Sequence, residues 1–168
     1  FMVGDVRDKD RLNLAIRNVD IVFHTAAMKH IAICEDNPFD AVKTNVIGTS
    51  NILEASIIEE VEKFVFISTD KATNPTSTLG GSKLLAERLT LDAGTYAGKG
   101  KTKFAIVRFG NVLGSRGSVF QIFQNQIKMK KPLTVTDKRM TRYIMSISEA
   151  ASMILKVTKI LEGGEIYI

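Results

Sequence analysis

The feature that most constrains the fold is a regular alternation of short apolar runs with longer segments that carry helix signals. Residues 21–24, 64–67 and 104–107 are runs of four mostly apolar residues, the profile of strands buried in a parallel sheet. They recur at roughly 40-residue intervals, which leaves room for a crossover helix between consecutive strands. The sequence therefore predicts an α/β fold: one domain over residues 1–168, built on a doubly wound parallel sheet.

Capping residues mark where the helices begin. Asp36 and Asn37 precede Pro38, a residue type favoured in the first helical turn, and predict a helix that continues to about residue 60. Ser146 and Glu149 have the spacing of a capping box in front of an apolar helix. Further elements are expected over about residues 79–96 and 118–130, both helical, and over residues 165–168, a strand.

Three segments follow the predicted strands at their carboxyl ends, where open parallel sheets bind their ligands. They are residues 25–30, 68–71 and 110–116, and all three are rich in small and polar side chains. The phosphate-binding pattern Gly-x-Gly-x-x-Gly is absent, and the opening residues from Phe1 read as the end of a strand. We therefore expect a Rossmann-like sheet that is N-terminally incomplete, with its first βα units absent, and a chain that is inactive by itself.

Charge and cysteine content exclude several classes of protein. The net charge is +5, but the basic residues are scattered among 18 acidic ones, so no nucleic-acid partner is expected. The densest basic cluster, Lys128, Lys130 and Lys131, suits the C-terminal turn of a helix. A single cysteine, Cys34, fits a reducing compartment, and no apolar run approaches the roughly 20 residues that span a bilayer. We expect a cytoplasmic location.

The strongest chemical signal is an acidic and a basic residue side by side on the binding rim. Asp70 and Lys71 come directly after the second predicted strand and can serve as acid and base if burial moves their pKa values toward neutrality. An arbitrary Asp-Lys pair is more often a solvated turn that ends in a helix cap. The position at the carboxyl end of a strand favours the chemical interpretation here.

The segment STDKATNP at residues 68–75, followed by GGSK at 80–83, resembles a signature of nucleotide-sugar 4,6-dehydratases. These enzymes are extended short-chain dehydrogenase/reductases, and the resemblance is closest to the UDP-N-acetylglucosamine 4,6-dehydratases of capsular and surface-polysaccharide biosynthesis. It runs from Gly4 to Gly164. Further matching segments are AAMKH at 26–30, KTNVIGT at 43–49, RFGNVLGSRGS at 108–118 and MTR at 140–142.

The resemblance implies a site for NADP or NAD. Asp5 and Val6 match the segment that meets the adenine edge, and Ala26 and Ala27 match small residues that let the cofactor's ribose and diphosphate lie against the backbone. Further cofactor-binding residues implied by the resemblance are Asn45 behind the nicotinamide, Ser68 at the end of the second strand, and Lys83 on the nicotinamide ribose. A satisfied buried amide is the alternative for Asn45.

The resemblance also implies a UDP-sugar substrate. Lys29 and Asn111 match residues near the sugar nucleotide, and Arg116 and Arg142 are candidates for pairing with its diphosphate, since an arginine fork suits that group. Arg139 is a weaker candidate. No metal site is expected, because the two histidines lack ligand partners at useful spacing. A homo-oligomer is expected. Larger relatives carry a membrane domain upstream, and if this protein has such a domain outside the chain, it would lie on the cytoplasmic face of the membrane.

One position departs from the family pattern. Extended short-chain dehydrogenases carry a tyrosine four residues before the lysine, where this chain has Leu79 before Lys83. Some 4,6-dehydratases also lack it, so we expect Thr69, Asp70, Lys71 and Lys83 to form the catalytic set. Lys71 would then remove the C5 proton, Asp70 would assist water loss, and Thr69 would position the C4 oxygen. The alternatives are a nucleotide-sugar 4-epimerase and a non-catalytic NAD(P)-binding sensor.

Overall fold

The structure is a computed structural model that describes residues 1–98, 100–115 and 119–168. A four-stranded sheet with the order β1-β2-β3-β6 and all strands parallel forms its centre, and β4 and β5 form a two-stranded parallel ribbon beside it. The prediction of a doubly wound parallel sheet is confirmed. The strands are β1 (Ile21–His24), β2 (Lys63–Thr69), β3 (Lys103–Phe109), β4 (Asn111–Val112), β5 (Ile144–Met145) and β6 (Glu165–Tyr167).

Seven α-helices accompany the strands in the described residues. They are α1 (Lys9–Ala15), α2 (Ile31–Asp36), α3 (Pro38–Val42), α4 (Gly48–Ile58), α5 (Thr78–Tyr96), α6 (Val119–Lys128) and α7 (Ile147–Ile160). The capping box before α7 is confirmed, with Ser146 and Glu149 each bonding the other's backbone N–H. Asp8 caps α1, and α6 ends at Lys128 as the basic cluster predicts. Within the described residues, no helix combines the length and apolarity that crossing a bilayer demands.

Alternation along β2 and β3 divides the core into two layers, because successive side chains point to opposite faces of a sheet. Phe64, Phe66, Phe104 and Ile106 lie on the face covered by α4 and α5. On the other face, the residues that pack together with α7 are Val65, Ala105, Val107 and Phe109. Both faces are apolar, which explains why the sequence shows continuous apolar runs rather than an alternating pattern.

The helix predicted from Pro38 begins at that residue and ends at Ile58, but it is interrupted. Lys43–Ile47 form a π-helical segment between α3 and α4, an irregularity that is often found near functional sites. Immediately after it, Gly48 packs on Val6: a Cβ at Gly48 would lie 2.6 Å from the Val6 Cγ2. The sequence prediction missed the π-helical segment, the separate helix α2 and the β4–β5 ribbon.

Candidate nucleotide-sugar site

The carboxyl ends of β1, β2 and β3 open on a cleft of about 460 Å³, here called the inner cleft. Its walls come from residues 25–31, 67–71 and 109–115, together with Leu79 and Lys83 of α5. Those are the three segments that the strand-end rule selects from the sequence. Among the predicted site residues, the structure brings Ala27, Lys29, Ser68, Thr69, Lys71, Lys83 and Asn111 to this cleft.

Two buried polar atoms in the inner cleft lack a hydrogen-bond partner in the described part of the chain. They are the Ser68 Oγ and the Asn111 Oδ1. An unsatisfied buried polar atom costs about 1–3 kcal/mol, so a native cleft seldom keeps one without a ligand to complete it. Ser68 can donate or accept and the Asn111 Oδ1 accepts, which fits the hydroxyl groups of a ribose or a sugar.

Lys83 reaches the inner cleft from inside the protein. Its Nζ donates to the Ile67 carbonyl oxygen at 2.6 Å and stands 4.2 Å from the centroid of the Phe66 ring. Burial lowers the pKa of the Lys83 ammonium to about 8, although the Glu87 carboxylate acts in the opposite direction. At neutral pH the group is therefore a cation held beside the strand that carries Ser68.

Leu79 also lines the inner cleft, one turn before Lys83 on α5. It packs in a small apolar cluster with Cys34, Ala41 and Met28. Burial is the main cause that raises the pKa of the Cys34 thiol, so this cluster offers no group that exchanges a proton near pH 7. The position where short-chain dehydrogenases carry tyrosine is chemically inert here.

Asp70 and Lys71 sit on a single 3₁₀ turn, Asp70–Ala72, directly after β2. The Lys71 Nζ donates to the Asp70 Oδ1 at 2.9 Å, and the Thr69 Oγ1 donates to the same oxygen at 2.9 Å. Burial acts to raise the pKa of the Asp70 carboxyl, but the hydrogen bonds from Lys71 and Thr69 and the lysine charge outweigh it and lower that pKa. Asp70 is therefore ionised in the ligand-free protein, with a donor on each side.

Gly80 allows the Asp70–Ala72 turn to pack closely against the start of α5. A Cβ on Gly80 would lie 2.5 Å from the Lys71 carbonyl oxygen and 3.1 Å from the Pro75 Cβ, so the close approach requires a residue without a side chain. The Ser77 hydroxyl caps the helix by accepting from the Gly80 N–H. The Glu35 carboxylate of α2 accepts from the backbone and hydroxyl of Thr78.

A second cleft of about 730 Å³, the outer cleft, adjoins the first. It shares Ile31 and Lys71 with the inner cleft, and Asp70 and Arg142 line it as well. The Lys71 ammonium is thus placed where the two clefts meet. The outer cleft is completed by Glu35, Asn74, Thr76, Ser77, Thr141 and Tyr143.

The arginines predicted for a diphosphate differ in their surroundings. Arg142 is exposed, and one guanidinium nitrogen donates to the Thr141 carbonyl oxygen at 2.7 Å, leaving other N–H groups directed to no carboxylate among the described residues. The Arg139 guanidinium donates two hydrogen bonds to the Asp137 carboxylate. Arg116 lies outside the described residues.

Asn45 is buried and lies behind the inner cleft. Its side-chain amide accepts from the Met28 N–H at 2.8 Å and donates to the Met28 carbonyl and to the Ser82 hydroxyl, both at 3.0 Å. These three hydrogen bonds fix the loop after β1 to α5. The geometry corresponds to the satisfied buried amide.

His24 ends β1 inside the core, as its place in an apolar run predicts. Its Nε2 lies 2.9 Å from the Thr49 hydroxyl, which itself donates to the Asn45 carbonyl oxygen. The Thr49 oxygen is thus left to accept, so the Nε2 carries the proton. Burial, and secondarily the Lys83 charge, lowers the pKa of His24 to about 3, which keeps the imidazole neutral.

The residues predicted at the adenine edge lie outside both clefts. Both Asp5 carboxylate oxygens accept from the Arg7 guanidinium, and these bonds lower the pKa of Asp5 to about 2. The Val6 carbonyl oxygen accepts from the Asn51 amide at 3.1 Å. Ala26 is exposed beside Ala27 but does not line the inner cleft in the described structure.

Sequence reasoning missed two features of the site. The role of Gly80 had a signal in the Gly80-Gly81 pair at a helix start, since glycine at such a position suggests a close backbone approach. The buried ion pair of Glu87 with Arg108 had none, because 21 residues separate its partners and no local pattern links them.

The chain is similar to known proteins over nearly its whole length. A family model described as polysaccharide biosynthesis protein matches residues 1–168. The chain is 60% identical over 166 residues to an uncharacterized membrane protein of Methanocaldococcus jannaschii, covering 99% of this chain and 50% of the relative. It is 43% identical to a UDP-N-acetylglucosamine 4,6-dehydratase (inverting) of Campylobacter jejuni, covering 100% and 51%. A UDP-glucose 4-epimerase of Rickettsia bellii is 40% identical, covering 100% and 49%.

Solved structures share the fold of the chain. Pen from Bacillus thuringiensis superposes with a TM-score of 0.95 at 48% identity, over 98% of this chain and 51% of that one. A Thermus thermophilus UDP-glucose 4-epimerase in complex with NAD superposes with a TM-score of 0.84 at 26% identity, over 98% and 61%. The chain spans about half the length of the curated relatives it matches.

Proposed function

The chain belongs to the polysaccharide biosynthesis protein family of nucleotide-sugar-modifying extended short-chain dehydrogenase/reductases, and we propose that it carries the catalytic centre of a UDP-N-acetylglucosamine 4,6-dehydratase. The single observation that carries the proposal is the Asp70–Lys71 pair, joined at 2.9 Å where the two clefts meet, with the inert Leu79 nearby. An elimination needs an acid and a base close together, and this pair supplies both.

The inner cleft fits a nicotinamide cofactor, NADP or NAD. The unsatisfied Ser68 hydroxyl and the Lys83 ammonium face the space that a ribose would fill, and Ala27 leaves room against the backbone. When bound, NAD(P)+ supplies the redox chemistry by taking hydride from C4 of the sugar and returning it to C6. The protein's own residues then have to bind, orient and move protons.

The first proton to move is that of the C4 hydroxyl. We assign it to Asp70 by way of Thr69, since the Thr69 hydroxyl already donates to the ionised carboxylate. Because Asp70 is ionised in the free protein, its carboxylate can accept a proton at this stage. Once protonated, the same carboxyl becomes the acid that gives its proton to the departing C6 hydroxyl, which leaves as water.

Lys71 is assigned the C5 proton, for which it must be a neutral amine. In this order Lys71 acts after Asp70 has taken up its proton, when the ion pair between the two side chains has been released. Lys71 reaches the outer cleft, where its surplus proton can pass to solvent. The proton taken from C5 exchanges with water on the amine before one is returned to C5.

The outer cleft is proposed to hold the UDP-sugar. Arg142 would pair with the diphosphate, and Lys29 and Asn111 would meet the sugar nucleotide from the inner cleft. Arg116 belongs to the same proposal by sequence. Asp5 and Val6 remain proposed for the adenine edge, and Asn45 for the support of the cofactor loop.

Location and assembly are also proposals. A single buried thiol, Cys34, suits a reducing compartment, so we assign the protein to the cytoplasm. The 60% identical relative named a membrane protein supports a location at the cytoplasmic face of a membrane for the complete protein. We expect a homo-oligomer.

A 4-epimerase is the second candidate, favoured by relatives of that name at 40% identity. The two reactions share the step at C4 but differ at C5, where only a dehydratase breaks the C–H bond. A proton NMR time course of UDP-N-acetylglucosamine with the complete protein in D2O separates them. We expect a 6-deoxy methyl signal and deuterium at C5.

Other outcomes of that time course would reject the proposal. C4 inversion without C5 exchange would identify an epimerase. Cofactor binding with an unchanged sugar would identify the non-catalytic sensor that Leu79 permits.

A further inference from the structure

Glu87 and Arg108 form an ion pair inside the protein, beneath the inner cleft. The Arg108 Nε and Nη2 donate to the two Glu87 carboxylate oxygens at 2.9 and 2.6 Å. The Glu87 side chain is 1% exposed and that of Arg108 is 14% exposed. Such a bidentate ion pair fixes the carboxylate in one orientation. None of the site chemistry described above uses it.

Lys83 lies one helical turn before Glu87 on α5 and faces the same side of the sheet. Its direct polar partner is a backbone carbonyl, and in the described part of the chain no carboxylate stands within ion-pair distance of its ammonium. Because it is buried, this cation is poorly hydrated, and its charged form depends on the field of more distant groups.

The charged and titratable groups around Lys83 come from four elements. His24 on β1 is neutral, Arg108 on β3 is a second cation, and the Asp70–Lys71 turn after β2 carries two charges that offset each other. Glu87 on α5 is the remaining anion. Its effect on Lys83 opposes the desolvation that burial imposes.

We propose that Glu87, held in orientation by Arg108, is a positioning residue that keeps Lys83 cationic in the inner cleft and thereby sets the affinity of the cofactor site. The inference rests on the proposed assignment of Lys83 to the cofactor. Arg108 leaves the carboxylate no freedom to swing onto the Lys83 ammonium. The ammonium thus stays directed at the Ile67 carbonyl and the cleft.

Two single substitutions break the same ion pair but differ in their expected effect on the Lys83 pKa. In the complete protein labelled with [6-¹³C]lysine, the Lys83 signal is assigned by its loss in Lys83→Arg and titrated by NMR. Glu87→Gln removes the anion, and we expect the Lys83 pKa to fall by about 1, with NAD+ binding lost at correspondingly lower pH. Arg108→Met frees the carboxylate, and we expect the Lys83 pKa to stay or rise.

A purely structural ion pair predicts the same result for both substitutions, namely lost stability and an unmoved Lys83 titration, and that outcome would overturn the inference. Each single variant leaves one buried charge unpaired, which can prevent folding. The double variant Glu87→Gln/Arg108→Met leaves neither, and we expect its Lys83 pKa to lie below that of Arg108→Met, since the two variants differ only in the Glu87 charge. Equal Lys83 titrations in these two variants would also reject the inference.

Both readouts are independent of product formation. A shifted Lys83 titration in a protein that forms no 4-keto sugar would reject the proposed reaction and keep the role of Glu87. A 4-keto product with an unshifted titration would do the reverse.

Discussion

Two lysines of the site, Lys71 and Lys83, have opposite environments. The Lys71 side chain is 31% exposed on a short turn and pairs with a carboxylate at 2.9 Å. Lys83 is 7% exposed on a long helix and donates to a backbone carbonyl. One ammonium therefore shares its proton with a titratable neighbour at the edge of two clefts, whereas the other is held by a group that cannot accept a proton.

The difference separates two tasks that both need a lysine. A base has to gain and lose a proton in each turnover, which requires solvent contact and a partner whose charge changes. A residue that binds a cofactor has to keep its charge and position, which burial against β2 and Phe66 provides.

Replacing the exposed lysine should stop the reaction and leave the cofactor site intact. For Lys71→Met in the complete protein, we expect the rate of 4-keto product formation to fall by about 10²–10⁴-fold, because Leu79 offers no substitute base. Exchange of the C5 hydrogen with solvent deuterium should vanish, and NAD(P) affinity should remain. Proton NMR in D2O and isothermal titration measure the two effects.

Lys101→Met is the matched control, since Lys101 pairs with Glu60 at the surface and lines neither cleft in the described structure. It should behave as wild type. Undiminished product from Lys71→Met would remove Lys71 from the mechanism and with it the division of tasks.

Gly80 lies where α5, which carries Lys83, packs against the turn that carries Lys71. A side chain at this position should therefore displace the turn and not the helix. In Gly80→Ala the new Cβ would meet the Lys71 carbonyl oxygen at 2.5 Å, and the turn has to move. A displacement near 1 Å at a reacting group can cost about 10²-fold in rate, which is the loss we expect in kcat. Overpacking should also lower the free energy of unfolding by about 1–3 kcal/mol.

The neighbouring Gly81 provides the control, because a Cβ there would have nothing within 4 Å. Gly81→Ala should raise the free energy of unfolding by up to about 1 kcal/mol through helix propensity and keep full activity. Equal effects of the two alanines in denaturant titration and kinetics would show that the turn tolerates movement.

The elements of the fold differ in how well the sequence predicts them. The strands β2 and β3 were predictable because their side chains are apolar on both faces, a pattern that depends on local composition alone. The three rim segments followed from the strand ends. The π-helical segment at Lys43–Ile47 was not predictable, since its residues are compatible with an ordinary helix.

The site was predictable where residues adjoin in sequence and not where they meet across the fold. The Asp70–Lys71 pair could be read directly, whereas the satisfied amide of Asn45 depends on Met28 and Ser82, which lie 17 and 37 residues away. The Arg7 contact that occupies the Asp5 carboxylate is local, but it depends on a loop conformation that the sequence does not specify.

Replacing the buried Lys83 should weaken cofactor binding and leave proton transfer at C5 intact. For Lys83→Met we expect NAD(P) affinity to fall by about 10–10²-fold, the range for one hydrogen bond from a charged group. Protein stability should not fall, because an ammonium that burial disfavours is replaced by an apolar chain of similar length. At saturating cofactor, C5 exchange should persist. Its loss at saturation would give Lys83 a part in proton transfer as well.

The smallest effect is expected at Arg142, which tests whether the outer cleft serves the substrate alone. Arg142→Ala should weaken UDP-sugar binding by about tenfold, the low end for a charge-assisted hydrogen bond, because the guanidinium is exposed and well hydrated before it binds. NAD(P) affinity should stay within twofold, roughly, since Arg142 does not line the inner cleft in the described structure. Arg139→Ala is the control: its guanidinium is already engaged by Asp137, so neither ligand should be affected. Isothermal titration of both variants with each ligand measures these affinities. Equal losses of affinity for cofactor and UDP-sugar in Arg142→Ala would mean that the inner cleft does not hold the cofactor separately from a substrate in the outer cleft.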